Sequence, residues 1–292
     1  MAKSPSHKFG QIIGEILETT MKIYFQDFAT KFDLYLDKKG KRKARKGKKV
    51  TWYDSYENKH DLDFVLERGG SDAEIGLPVA FIEIAWRRYT KHSRNKAQEI
   101  QGAILPLAFT HSFSAPFLGV VLAGVFTEGA LNQLRSRNFN VLYFEYDTVV
   151  SAFKTYGIDA SYEEDTSDED FTKKIEQWEA FNDKEKIIQK LVELNQDKFD
   201  IFFKVLEESV SRYITEIRIL PLLGTSSVFQ SATEAINFLN EFTVIDYETK
   251  DLIRFEIKII YSNGDTIEAS FANKNSANSF LKAYEIPDLN VN

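Results

Sequence analysis

Two nearly continuous apolar runs constrain the fold of this chain more than any other feature: PVAFIEIAW (78–86) and FLGVVLAGVF (117–126). A strand with so few polar residues needs cover on both faces. Between the runs the apolar pattern takes a helical period. Ala97, Ile100, Ala103, Ile104 and Leu107 form one stripe over 94–111, with Ser93 as the cap and Pro106 as a kink or early stop. A helix at Glu128–Ser136, a strand NVLYFEY (140–146) and a helix at Thr148–Tyr156 follow. Strands and helices therefore alternate from about 79 to 156. That order predicts an α/β architecture with a mixed or parallel central sheet flanked by helices.

Upstream, Phe9, Ile12, Ile13, Ile16, Leu17, Tyr24 and Phe28 recur at helical spacing, so 6–31 reads as a long helix with Ser6 as N-cap. FDLYLD (32–37) and VTWYDSY (50–56) read as a hairpin around KKGKRKARKGKK (38–49), whose nine basic residues have nothing to bury and predict a mobile basic arm. Downstream, the acidic stretch SYEEDTSDED (161–170) is the expected boundary, and 171–182 and 183–210 are helical. An internal repeat then pairs 216–242 with 256–284. Phe229 matches Phe271, Ala235 matches Ala277, and Phe238-Leu239 matches Phe280-Leu281. Each copy reads strand–strand–helix, the second with a turn at Ser262–Asp265. The expected organisation is a first domain over 1–160, a helical linker region over 161–213 and a small α+β module over 214–292.

The chain has 292 residues, 43% hydrophobic, and no cysteine. It has enough apolar material for one large or two modest cores. Absence of cysteine excludes disulfides and zinc–cysteine sites and fits a cytoplasmic protein. No run reaches the 18 or so apolar residues of a membrane span, and the start MAKSPSHKFG lacks the apolar core of a signal peptide. Net charge is -7, but it is unevenly spread. Residues 1–111 carry 20 Lys+Arg against 14 Asp+Glu, and the remainder 17 against 30. Such asymmetry fits one face that meets a polyanion.

The chemistry concentrates in 61–99. DLDFVL (61–66) alternates, with Asp61, Asp63 and Val65 on one face and Leu62, Phe64 and Leu66 on the other. In 78–86, Phe81, Glu83 and Ala85 share one face, and Ala80, Ile82, Ile84 and Trp86 the other. A carboxylate inside a buried strand is costly unless a partner neutralises it. Two acids converging from neighbouring strands make a divalent-metal site, and bases beside them a phosphate site. Arg87, Arg88, Lys91, Arg94 and Lys96 follow directly. Phosphodiester hydrolysis needs an activated water, relief of charge on the phosphorus centre and help for the leaving oxygen, and Mg²⁺ held by a few carboxylates provides these.

Asp63-Phe64-Val65-Leu66 followed by Phe81-Ile82-Glu83-Ile84-Ala85 resembles the PD-(D/E)XK nuclease superfamily, the fold of most type II restriction endonucleases, over about residues 6–156. The resemblance implies a restriction-endonuclease-like fold, Mg²⁺ as cofactor, and Asp63 and Glu83 as metal ligands. It implies the Ile84 carbonyl as a further ligand and Glu15 or Glu18 as the helix acid; Asp61 faces the same way as Asp63 and is an alternative to it. The family's lysine position is Ala85 here. Related enzymes tolerate other residues there or bring the lysine from elsewhere, which points to Lys96, on a helix, or Lys91, in the preceding loop.

Double-stranded DNA is then the expected substrate. Lys41, Arg42, Lys43, Arg45 and Lys46 of the basic arm and Arg87, Arg88 and Arg94 are the expected contacts, with Trp52, Tyr53, Tyr56 and Tyr89 placed to stack on bases. A type II restriction-like enzyme is often a homodimer and has a cognate DNA methyltransferase beside it. A non-catalytic DNA-binding accessory protein and a repair or junction-resolving nuclease are the alternatives. Walker, Gly-x-Gly-x-x-Gly, G-x-S-x-G and H-E-x-x-H patterns do not occur.

Overall fold

The computed structural model describes residues 4–90, 93–222, 225–242 and 254–285. They divide into two compact units, 1–210 and 211–292. None of the described helices is long and apolar enough to cross a membrane.

The first unit opens with α1, Pro5–Lys31. Its N-cap is Ser4, not Ser6: the Ser4 hydroxyl accepts from the His7 amide, and Pro5 takes a position where the missing N–H costs nothing. The strands of this unit are β1 (Leu34–Lys38), β2 (Val50–Tyr53), β3 (Lys59–Leu62), β4 (Phe64–Arg68), β5 (Leu77–Arg87), β6 (Phe117–Gly124) and β7 (Asn140–Glu145). The central sheet has the order β1-β4-β5-β6-β7. Its first two pairings are antiparallel and its last two parallel, so the sheet is mixed.

Helices cover both faces. On one lie α1, α4 (Tyr146–Lys154), α5 (Asp168–Ala180), α6 (Lys184–Glu193) and α7 (Gln196–Val210), packed on Phe64, Leu66, Ile82, Val121 and Phe144. On the other lie α2 (Ser93–Thr110) and α3 (Glu128–Arg135), packed with β2 and β3 on Val65, Phe81, Ala85 and Leu122. The α2 stripe is Ala97, Ile100, Ile104 and Leu107, and the helix continues through Pro106.

Four expectations are corrected here. The strands at 32–37 and 50–56 do not form a hairpin: β1 pairs with β4, and β2 with β3. Leu34 and Leu36 bury toward α1, whereas Val50 and Trp52 bury toward α2, so the two strands serve opposite faces. The run 61–66 is not one strand, because the chain bends at Asp63. Leu62 therefore joins the α2 side with Val65, instead of Phe64 and Leu66. The acidic stretch 161–170 is no boundary. Ser167 caps α5, and Asp168, Glu169 and Asp170 occupy its first turn, where the helix dipole favours acids. Finally, α5–α7 are a layer of the first unit, because Phe171, Ile188, Phe199 and Phe202 belong to its core.

The second unit has the strands β8 (Ile214–Pro221), β9 (Ser227–Phe229), β10 (Phe255–Tyr261) and β11 (Thr266–Phe271), and the helices α8 (Ala232–Glu241) and α9 (Lys274–Lys282). The sheet order is β11-β10-β8-β9, with each strand–strand–helix copy contributing one half. The two halves repeat in detail. Ser231 and Asn273 cap their helices by accepting from the amide three residues on. The Phe229–Phe238 rings stand 5.1 Å apart and the Phe271–Phe280 rings 5.0 Å.

Candidate active site

The ladder between β4 and β5 ends with Phe64 opposite Ile82. The next positions on the two strands are Asp63 and Glu83. The bend at Asp63 frees its side chain from the sheet, and its Oδ2 accepts the Ile84 amide at 2.7 Å. In an extended strand the N–H and C=O of one residue point to the same edge. The Ile84 carbonyl therefore opens on the edge where Asp63 stands.

Glu83 is 8% exposed, between Phe81 and Ala85. Burial, reinforced by the charge of Asp63, pushes its carboxyl up to about 8, and Lys96 opposes the shift. Asp63 is also raised, by burial first and by Glu18; the Ile84 amide, Lys96 and Lys39 pull it back. The charge of Asp63 disfavours that of Glu83, and both carboxyls are raised by burial, conditions that a cation beside them relieves.

Lys96 lies in the first turn of α2, with Nζ 3.9 Å from Glu83 Oε2 and 3.5 Å from Glu99 Oε2. Ala85, two residues beyond Glu83 on the same strand, is 4% exposed and packed toward α2. That site has no room to solvate an ammonium, while α2 delivers one to the same carboxylate. Lys91 lies outside the described residues.

The metal set contracts relative to the sequence expectation. Glu18 is half-buried and its charge reaches Asp63, whereas Glu15, one turn earlier, is exposed. Among the described residues no three His, Asp or Glu side chains group closely enough to hold an ion. Glu15 and Glu18 are therefore not ligands in this geometry. Asp61 is not the alternative acid either. It lies on β3, bound by Lys49 at 2.6 Å and Thr51 at 2.6 Å, which hold it below the usual carboxylate range. Two carboxylates and one backbone carbonyl remain. That all-oxygen set suits Mg²⁺, which binds few protein ligands and keeps its waters.

The basic arm is a folded loop, and two of its arginines point inward. Arg42 forks onto Glu67 at 2.5 and 2.9 Å and meets Asp37 at 3.1 Å, with its side chain 2% exposed. Arg45 also binds Asp37, at 3.1 Å. Asp37 and Glu67 are buried acids that need cations, so Arg42 and Arg45 neutralise the interior and are not DNA contacts. Lys41 and Lys46 are exposed; Lys43 is exposed and pairs with Asp72 at 3.1 Å.

Arg88 is likewise internal. It stacks 4.0 Å above Tyr146, donates to the Tyr162 carbonyl and pairs with Glu163. Arg87 is partly exposed and binds the Trp86 carbonyl, 3.9 Å from Glu99; Arg94 is exposed. Trp52 is core and Tyr89 half-buried, leaving Tyr53 and Tyr56 on the surface.

Two features escape a reading of the sequence. Lys39 lies at the acid pair, because Lys38 pairs with Phe64 and the next residues are Lys39 and Asp63. Its only sequence signal is membership of the basic run. Glu99 links Lys96 and Arg87 one turn into α2, which follows from the helical spacing of residues 96 and 99. Comparison of the chain with protein-family models, curated proteins and solved structures found no match.

Proposed function

We propose that this chain is a Mg²⁺-dependent endonuclease that hydrolyses phosphodiester bonds of double-stranded DNA, of the type II restriction class. The observation that carries this reading is the Asp63–Glu83 pair at the end of a ladder, Glu83 buried and Asp63 half-buried, with Lys96 3.9 Å from Glu83. The element order supports it: a helix, an antiparallel pair with the acids at its end, and then β5–α2–β6–α3–β7 with parallel strands make a mixed central sheet flanked by helices.

Mg²⁺, when bound, supplies a water acidified toward neutrality and positive charge beside the phosphoryl oxygens. Asp63, Glu83 and the Ile84 carbonyl would hold it. The chain does the rest. The Ile84 amide orients the Asp63 carboxylate before any ligand arrives. Lys96 sets a positive charge where phosphoryl negative charge grows, on a helix that fixes its position. Glu99 keeps Lys96 and Arg87 on one side of the centre. The exposed Lys41, Lys46 and Arg94 meet backbone phosphates, which position the duplex without reading it.

A homodimer, with one centre per strand, and a companion methyltransferase belong to this reading. The test is incubation of the protein with unmethylated supercoiled plasmid and Mg²⁺, beside Asp63→Ala and Glu83→Ala. Discrete fragments that both substitutions abolish are the expected result. Smears or junction-selective cutting point to a repair nuclease, and binding without cleavage to an accessory protein.

A further inference from the structure

The row that contains the acid pair extends to a third strand. Lys38 on β1 is opposite Phe64, and Phe64 is opposite Ile82. One position further along each strand come Lys39, Asp63 and Glu83. Lys39 and Asp63 each lie one residue beyond the β1–β4 ladder, whose last pair is Lys38 and Phe64. Lys38 is committed to Gln26 on α1. Lys39 is exposed and has no ion pair among the described residues.

The chain then turns sharply. Gly40 adopts φ +146, a conformation that favours glycine, and its amide binds the Lys48 carbonyl at 2.8 Å. Arg42 anchors the loop, because beyond its acids it donates to the carbonyls of Ser71 at 3.0 Å and Glu74 at 2.7 Å. The Ala44 amide adds a bond to Asp72. A lysine at the tip of a mobile arm is a solvated charge; a lysine at the root of a tied loop, one residue past the ladder that leads to the two acids, has a defined place.

We propose that Lys39 is a catalytic residue whose ammonium donates to a non-bridging oxygen of the scissile phosphate beside the Asp63–Glu83 cation site, with Arg42 as its positioning residue. This role presupposes the nuclease reading and adds a cation from β1 to the one that α2 supplies. Lys39 makes and breaks no covalent bond. In the hydrolysis a water oxygen bonds to phosphorus and the water gives up a proton to solvent, the bond from phosphorus to the deoxyribose oxygen breaks, and that oxygen leaves with a proton from solvent. The ammonium lowers the cost of charge on the phosphoryl oxygens in between.

The test uses the full chain, supercoiled plasmid with Mg²⁺ for single-turnover cleavage, and the same plasmid with Ca²⁺ for affinity by gel shift. Lys39→Ala is expected to slow cleavage by about 100-fold or more while weakening affinity by less than about tenfold. Lys39→Arg is expected to recover part of the rate. Arg42→Lys keeps the charge but loses the fork, so it slows cleavage through loop geometry. In that background Lys39→Ala then costs much less than in the wild type. Thermal melts identify any variant that fails to fold, and Lys39→Arg keeps the test open if Arg42→Lys does. Wild-type cleavage with Lys39→Ala within about threefold of its rate overturns the proposal alone, as do rate and affinity falling by the same factor. A wild type that cleaves no DNA with Mg²⁺ or Mn²⁺ overturns the nuclease reading and this proposal with it.

Discussion

Lys96 Nζ stands 3.9 Å from Glu83 Oε2, reaching from the first turn of α2 to the middle of β5. Two residues along the same strand Ala85 packs at 4% exposure, so the cation beside Glu83 comes from the helix and not from the strand. Lys96→Met is expected to lower plasmid cleavage by about 100- to 1,000-fold with little change in the melting temperature. Ala85→Lys in that background does not restore activity. It buries an ammonium among apolar groups and costs roughly 3 kcal/mol or more in a urea melt. Recovery of cleavage by Ala85→Lys would show that the strand position, not the helix position, is the functional one.

Glu83 also makes stability depend on pH, with a sign unusual for a carboxylate. Its folded-state value, about 8, lies above the 4.5 of the free group. The folded state therefore holds a proton that the unfolded state has lost, and stability falls as pH rises from about 4.5 through 8. Glu83→Gln removes this dependence. Its stability relative to wild type is expected to rise on the order of 3 kcal/mol between pH 5 and pH 8.5 without metal. Urea melts of both proteins at the two pH values measure it. An equal difference at both would mean that Glu83 is not protonated in the fold.

The same proton reports metal binding. At pH 7 a carboxyl with a value near 8 is mostly protonated, and a cation between Asp63 and Glu83 must displace that proton. Titration calorimetry with Mn²⁺ in two buffers of different ionisation enthalpy should show release of about one proton at pH 7 and little at pH 9. Apparent affinity should rise about tenfold per pH unit below 8 and level off above it. Heats identical in the two buffers at pH 7 would place the metal elsewhere.

The central strands and the acid pair are legible because they are written locally. An acid in an apolar run marks Glu83, and alternation assigns Phe81 and Ala85 to its face, as found. The repeat at 216–284 is legible for the same reason, since each copy is a self-contained strand–strand–helix pattern. What is not legible depends on partners distant in sequence. Arg42 looks like its lysine neighbours until Glu67, 25 residues on, is seen to need it. β1 and β2 look like a hairpin until their cores prove to lie on opposite faces of the sheet. The bend at Asp63 is hidden because alternation assumes an unbroken strand, and that bend both shifts Leu62 to the other face and frees Asp63.

The buried Arg42–Glu67–Asp37 network makes a prediction opposite to that for a DNA contact. Arg42→Met leaves two buried carboxylates with less compensation, and a loss of about 3–5 kcal/mol is expected in a urea melt at pH 7. Lys43→Ala, in the same loop but exposed, is expected to change stability by less than about 0.5 kcal/mol. Equal effects would mean that Arg42 is solvated and the loop not anchored.

If the proposed nuclease reading holds, salt dependence separates the exposed basic residues that would meet DNA from those that face the interior. Each neutralised phosphate steepens the fall of log affinity with log salt by about 0.9. Lys41, Lys46 and Arg94 are exposed, so alanine at each should reduce the slope of plasmid binding by about that amount when Ca²⁺ replaces Mg²⁺. Arg88 is held by Tyr146, Tyr162 and Glu163, and Arg88→Met should lower the melting temperature while leaving the slope unchanged. A drop in slope with Arg88→Met at full stability would return Arg88 to the DNA-facing set, and an unchanged slope for all three exposed residues would move the DNA to another face of the protein.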